Sequence, residues 1–170
     1  MIQAYMSGDK ITSNQASAFS LHEKSHFGEK KSGKIEYSPV EALFLLKEEK
    51  IQITQNKKLI SEEQLIKKLK SKDKRIELKL PAFSDLRKKG YVLKTALKFG
   101  ADFRVYEKGI KPGEDHALWL MQCVKESATF TWQDFAAKNR VAHSARKNLV
   151  IAIIDDEDDV TYYKVEWMKP

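Results

Sequence analysis

Three polar residues stand where expected strands begin or end, and their types suit one reaction. Tyr106 closes the strand-like stretch Phe103-Arg-Val-Tyr106, His116 opens the apolar stretch Ala117–Val124, and Lys147 lies just before Leu149–Ile154. If those strands are neighbours, the Gly/Pro loop between Tyr106 and His116 brings both side chains to one edge of the sheet, which Lys147 also reaches. Tyr, His and Lys together are a sufficient set for cleaving RNA without a metal. A base takes the proton from a ribose 2′-hydroxyl, an acid protonates the departing 5′-oxygen, and a cation balances charge on the phosphoryl oxygens. Histidine, with an ordinary pKa of about 6.5, suits the acid, and lysine the cation. Tyrosine, near 10, serves as base only where cations stabilise its phenolate. Arg140, His143 and Arg146 lie beside Lys147. A continued helix would put Arg140, His143 and Lys147 on one face. Taken one at a time, the three also read as a packed strand-end tyrosine, a loop histidine and a solvated lysine.

Other chemistries find less support. The chain has no phosphate-binding Gly loop, no His-Glu-x-x-His and no Gly-x-Ser-x-Gly elbow. Its one cysteine, Cys123, excludes an intramolecular disulfide and any multi-cysteine metal site. The block Asp155, Asp156, Glu157, Asp158, Asp159 reads first as a solvated hairpin tip. As oxygen ligands for Mg²⁺ these residues lack calcium-loop spacing. No cofactor and no resident metal are expected.

The 170 residues carry 31 Lys+Arg against 24 Asp+Glu, a net charge of +7. Residues 81–170 have a net charge of only +2, because five of their acids sit in the one acidic block. A basic surface of this kind favours polyanions and salt-sensitive binding. Hydrophobic residues at 42%, with 8 Phe, 6 Tyr and 3 Trp, are too many for a disordered chain. The longest apolar run, Leu149–Ile154, is far too short to span a membrane, and the N-terminal residues do not read as a secretion signal. A soluble, cytoplasmic protein is expected.

The elements that must position these residues follow from local signals. Residues 1–36 suggest strands and loops around one short helical stretch. Ser38-Pro-Val-Glu41 is a capping box opening a helix to about Lys50, and Ser61 with Gln64 caps another. Ile51 and Ile53 suit a short strand. Residues 73–80 alternate like a strand or continue the preceding helix, and Pro81 marks a domain boundary. Ser84 is expected to cap a helix carrying Leu86, Leu93 and Leu97 and ending near Gly100. Thr131 and Asp134 cap a helix to about Ser144 with Trp132, Phe135 and Ala136 facing inward. A last strand places Thr161, Tyr163, Val165 and Trp167 on one face. The expected fold class is α/β (α+β): a small N-terminal mixed domain over 1–80, then a domain over 82–170 with a central mixed sheet flanked by helices.

The second half resembles the archaeal tRNA-splicing (tRNA-intron) endonucleases. The resemblance runs through Asp85-Leu-Arg-Lys-Lys-Gly-Tyr91, Lys98-Phe-Gly-Ala-Asp-Phe-Arg-Val-Tyr106, His116 with its apolar strand, and Arg140-Val-Ala-His-Ser-Ala-Arg-Lys147. Tyr37-Ser-Pro-Val-Glu-Ala-Leu43 resembles the family's smaller domain more loosely. The resemblance implies that Tyr106 is the general base, His116 the general acid and Lys147 the transition-state stabiliser. It implies cutting of precursor tRNA at bulge–helix–bulge junctions, without metal, to give 2′,3′-cyclic phosphate and 5′-hydroxyl ends. It also implies stacking of a bulge nucleotide between arginine planes. Arg140 matches the first arginine; the C-terminal segment offers Tyr162, Tyr163 and Trp167 but no arginine, so either an aromatic replaces the second or the clamp is one-sided. Arg140, Arg146 and Trp167 form the expected RNA-binding set. The acidic block, by the same resemblance, inserts into a basic cleft of another subunit, giving a homotetramer built as a dimer of dimers. Two alternatives stay open: a non-catalytic RNA-binding partner subunit, and a metal-dependent nuclease using residues 155–159.

Overall fold

The computed structural model describes every residue except Glu114. The chain forms two compact units, Met1–Leu80 and Pro81–Pro170. Each unit is a mixed sheet with helices, an α+β arrangement with five α-helices among the described residues. No helix among those residues is long and apolar enough to cross a membrane.

The N-terminal unit holds β1 (Ile2–Ser7), β2 (Lys10–Ser13), α1 (Ala16–Ser25), β3 (Glu29–Lys31), β4 (Lys34–Tyr37), α2 (Pro39–Lys47), β5 (Ile51–Gln55), β6 (Lys58–Leu59) and α3 (Glu62–Lys70). The sheet order is β3-β4-β2-β1-β5-β6, with β1 and β5 parallel and the other pairs antiparallel. Both expected capping boxes form, Ser38 with Glu41 and Ser61 with Gln64. Glu41 does more than close a helix. Its side chain is buried, one oxygen accepting the Ser38 N–H at 2.9 Å and the other the Gly28 N–H at 3.0 Å. Gly28 is required there: its φ is +70°, and an added Cβ would stand 2.4 Å from Ile35 Cγ2.

The stretch after α3 resolves as a second helix, α4 (Ile76–Lys88), not a strand. The Asp73 carboxylate accepts the Arg75 N–H at 2.9 Å and starts it. Ile76, Leu80 and Phe83 form its buried stripe, a helical spacing hidden by the local alternation of polar and apolar residues. Pro81 lies inside α4, where the division into two units falls. The helix expected from Ser84 to Gly100 is corrected. α4 has already ended at Lys88, Gly90 adopts positive φ, and Val92–Thr95 form β7 against β8 (Phe103–Tyr106). Leu97 lies in an exposed 3-10 turn.

The second unit continues with β9 (Trp119–Lys125), α5 (Trp132–Ser144), β10 (Asn148–Ile154) and β11 (Val160–Val165). Its sheet order is β11-β10-β9-β8-β7. Only β9 and β10 run parallel, and α5 is the crossover between them. Trp132 does not face inward: it is 85% exposed, because it occupies the first turn and meets Phe135 only edge-on. Edge strand β11 is pinned to α4 by Tyr162, whose hydroxyl donates to Asp85 Oδ2 at 2.7 Å, while Lys89 Nζ donates to the same oxygen at 2.8 Å. Burial by itself would raise the Asp85 carboxyl, but the bonds from Lys89 and Tyr162 outweigh it and hold it below the ordinary carboxylate range. Burial first, and Asp85 second, push the Tyr162 hydroxyl up.

Two outcomes follow. Glu41→Ala, which strands the Gly28 and Ser38 donors, should cost about 2–3 kcal/mol, read by urea unfolding. Tyr162→Phe should cost about 1 kcal/mol at pH 7. Asp85 is depressed when folded, so its contribution is complete above the ordinary carboxylate range and fades as pH falls through its folded value. The Tyr162→Phe difference should therefore shrink in unfolding curves taken at pH 3.

Candidate active site

Strand directions bring three chain segments to one end of the second sheet. β8 ends where β9 and β10 begin, since β8 is antiparallel to β9 and β9 parallel to β10. The junction is tied by backbone bonds. The Leu118 N–H donates to the Val105 carbonyl at 2.9 Å, and the Asn148 N–H to the Leu118 carbonyl at 3.3 Å. Tyr106 follows the first of these tied residues, and Lys147 precedes the last.

Lys147 gets there by a helix stop rather than a helix face. After α5 the chain turns at Arg146, which takes the left-handed conformation at φ 55°. The Arg146 N–H donates to the His143 carbonyl and the Lys147 N–H to the Ala142 carbonyl, both at 2.9 Å. This is the Schellman pattern of a helix C-terminus, with Arg146 in the position where glycine usually stands. The face expected to unite Arg140, His143 and Lys147 through helical continuation therefore does not exist. Local sequence gives no glycine to mark the stop.

A cavity of about 810 Å³ opens at this junction. His116, Lys147, Arg146, His143 and Ser144 line it, and Glu107 and Asp115 add carboxylates to its wall. His116 is exposed and stands in the loop before β9 rather than at its first residue; its N–H donates to Asp115 Oδ1 at 2.7 Å. Lys147 is half-buried, with Nζ donating to the Ala145 carbonyl at 3.2 Å. Tyr106 is not among the lining residues. The residue is only 5% exposed and clusters with Val92 and Ala117, with Ile110 packed against that cluster. Ala117 and Ile110 are themselves cavity walls, so the tyrosine lies directly behind the lining. No sequence motif marks the Glu107 and Asp115 carboxylates, whose one signal is their place in the loop between Tyr106 and His116.

Other expected site residues lie around this cavity or away from it. Arg140 is exposed on α5, outside the cavity lining. Trp167 is 55% exposed, and its ring meets His143 edge-on at 4.5 Å, which sets the indole beside the cavity. The acidic block is the β10–β11 turn at the opposite end of β10, about 20 Å of strand from Lys147. Asp155 Oδ1 accepts the N–H groups of Glu157 and Asp159, both at 2.9 Å, so its carboxylate holds the turn. Asp156, Glu157, Asp158 and Asp159 point into solvent. Among the described residues, no group of three or more His, Cys, Asp or Glu side chains is arranged to hold a metal ion.

Comparison with known proteins identifies the family. The family model for the tRNA intron endonuclease catalytic C-terminal domain matches residues 76–162, and that for the tRNA intron endonuclease N-terminal domain matches residues 2–66. The tRNA-splicing endonuclease of Thermococcus onnurineus is 40% identical over 169 residues, covering 99% of this chain and 97% of its own. That of Thermococcus kodakarensis is 40% identical over 170 residues, covering 99% of each. The Methanothermobacter thermautotrophicus protein of the same name is 36% identical over 165 residues, covering 96% of each. With both family domains in order along nearly its whole length, the chain belongs to the tRNA intron endonuclease family of enzymes.

Proposed function

We propose that this enzyme removes introns from precursor tRNA in the cytoplasm, cutting at bulge–helix–bulge junctions by metal-independent transesterification. The observation that carries this reading is the meeting of His116 and Lys147 in one cavity, with Tyr106 immediately behind its wall. Tyr106 takes the proton from the 2′-hydroxyl, whose oxygen bonds to the adjacent phosphorus as the bond from phosphorus to the 5′-oxygen breaks. His116 supplies the proton to that 5′-oxygen, and Lys147 balances the charge on the non-bridging oxygens. The products are a 2′,3′-cyclic phosphate and a 5′-hydroxyl.

Arg140 and Trp167 are proposed contacts for an unpaired nucleotide, one by its guanidinium plane and one by its indole face. The exposed turn Asp155–Asp159 is proposed to dock into a basic surface of another copy, giving a homotetramer. Four exposed acids at a hairpin tip support an electrostatic contact of that kind.

His116→Ala should lower cleavage of a bulge–helix–bulge RNA by at least about a hundredfold while RNA affinity stays within about twofold. The assay is run in excess EDTA with identification of the product ends. Activity only on adding Mg²⁺, or linear phosphate ends, would sink the proposed chemistry; tight binding without cleavage would make the chain a partner subunit. Replacing Asp156, Glu157, Asp158 and Asp159 with lysine should move the protein toward dimers in sedimentation, and an unchanged tetramer would rule out docking through this turn.

A further inference from the structure

We infer that Arg146 forms a second anion subsite, binding an RNA backbone phosphate next to the one under attack; this rests on the function proposed above. Arg146 occupies the left-handed turn position after α5, at φ 55°. Glycine enters that region freely, whereas a side chain there crowds the backbone. Local stability therefore favours a different residue at this position.

Among the described residues, none holds the arginine side chain in compensation. It lines the cavity, is exposed, and makes no hydrogen bond or ion pair among the described residues. This holds although the carboxylates of Glu107 and Asp115 line the same cavity. Asp115 is engaged by the His116 N–H. A guanidinium is permanently charged, and its fork of donors fits two oxygens of one phosphate. Lys147, the next residue, lines the same cavity and is assigned to the reacting phosphate. The tight turn thus brings two cations to one cavity, and an RNA strand laid across the opening offers successive phosphates to both.

The test compares Arg146→Gly and Arg146→Lys with the wild type, using a bulge–helix–bulge RNA in EDTA at several salt concentrations. Lys125→Ala, at the far end of β9, is the control for a general charge effect. Arg146→Gly should weaken RNA binding about tenfold and raise KM more than it lowers kcat. Its log affinity should fall less steeply with log salt, by roughly 0.7–0.9 in slope, the loss of one phosphate contact. Its Tm should equal or exceed that of the wild type. Arg146→Lys should recover the slope but only part of the affinity, lacking the fork.

An unchanged affinity and slope in Arg146→Gly would overturn the inference, as would an equal change in Lys125→Ala. A fall in Tm with an unchanged slope would make Arg146 a structural cap instead. If the wild type binds this RNA without cutting it, the proposed function fails, yet the slope difference still supports the Arg146 subsite.

Discussion

The end of α5 is the constraint on which the site depends. Two backbone bonds, from Arg146 to His143 and from Lys147 to Ala142, stop the helix and turn the chain into β10. The next tie, Asn148 to Leu118, sets β10 beside β9, and Leu118 to Val105 sets β9 beside β8. These bonds are between main-chain groups, so they fix where Lys147 and the end of β8 lie without reference to side-chain identity. Removing such bonds from a half-buried sheet end leaves unsatisfied donors and acceptors, which is costly. The cavity geometry is thereby held by the same bonds that hold the fold.

Around that frame the side chains divide their work. His116 and Lys147 are left reachable in the cavity, while Tyr106 adds its ring to a small apolar cluster with Val92 and Ala117. The opposite end of β10 is a different environment. There Asp155 folds the turn with its own carboxylate, and the remaining acids are solvated. Like charges so closely spaced are tolerable only in water or against a partner of opposite sign. One strand thus separates a cation-bearing cavity from an acidic tip, keeping the acids from screening the cavity cations.

The second unit is stiffened at its edge by a polar pin, not by apolar packing alone. Edge strand β11 is half exposed, and the bond from Tyr162 to Asp85 links it to α4 across 77 residues of sequence. Lys89 completes that group from the turn just past the end of the same helix. In the first unit Glu41 plays a similar part, closing α2 and taking up the Gly28 N–H of a neighbouring loop. In each unit a carboxylate with several donors joins segments distant in sequence.

What the sequence determined by itself was whatever depends on near neighbours. The capping boxes at Ser38–Glu41 and Ser61–Gln64 and the Thr131–Asp134 cap formed as read, because each needs only a side chain and a backbone group three residues apart. The stretches 103–106 and 149–154 were legible as strands from their apolar runs. Tertiary structure decided the rest. The segment 89–100 became a strand and a turn because β8 was there to pair with it, and no local signal contains that partner. Trp132 turned outward because Phe135, and not the first-turn tryptophan, packs against the core cluster. The left-handed turn at Arg146, invisible without a glycine, put Lys147 in the cavity, and clustering with Val92 and Ala117 buried Tyr106. Residue types thus declared the chemistry available, while strand register and one helix stop decided which side chains could meet.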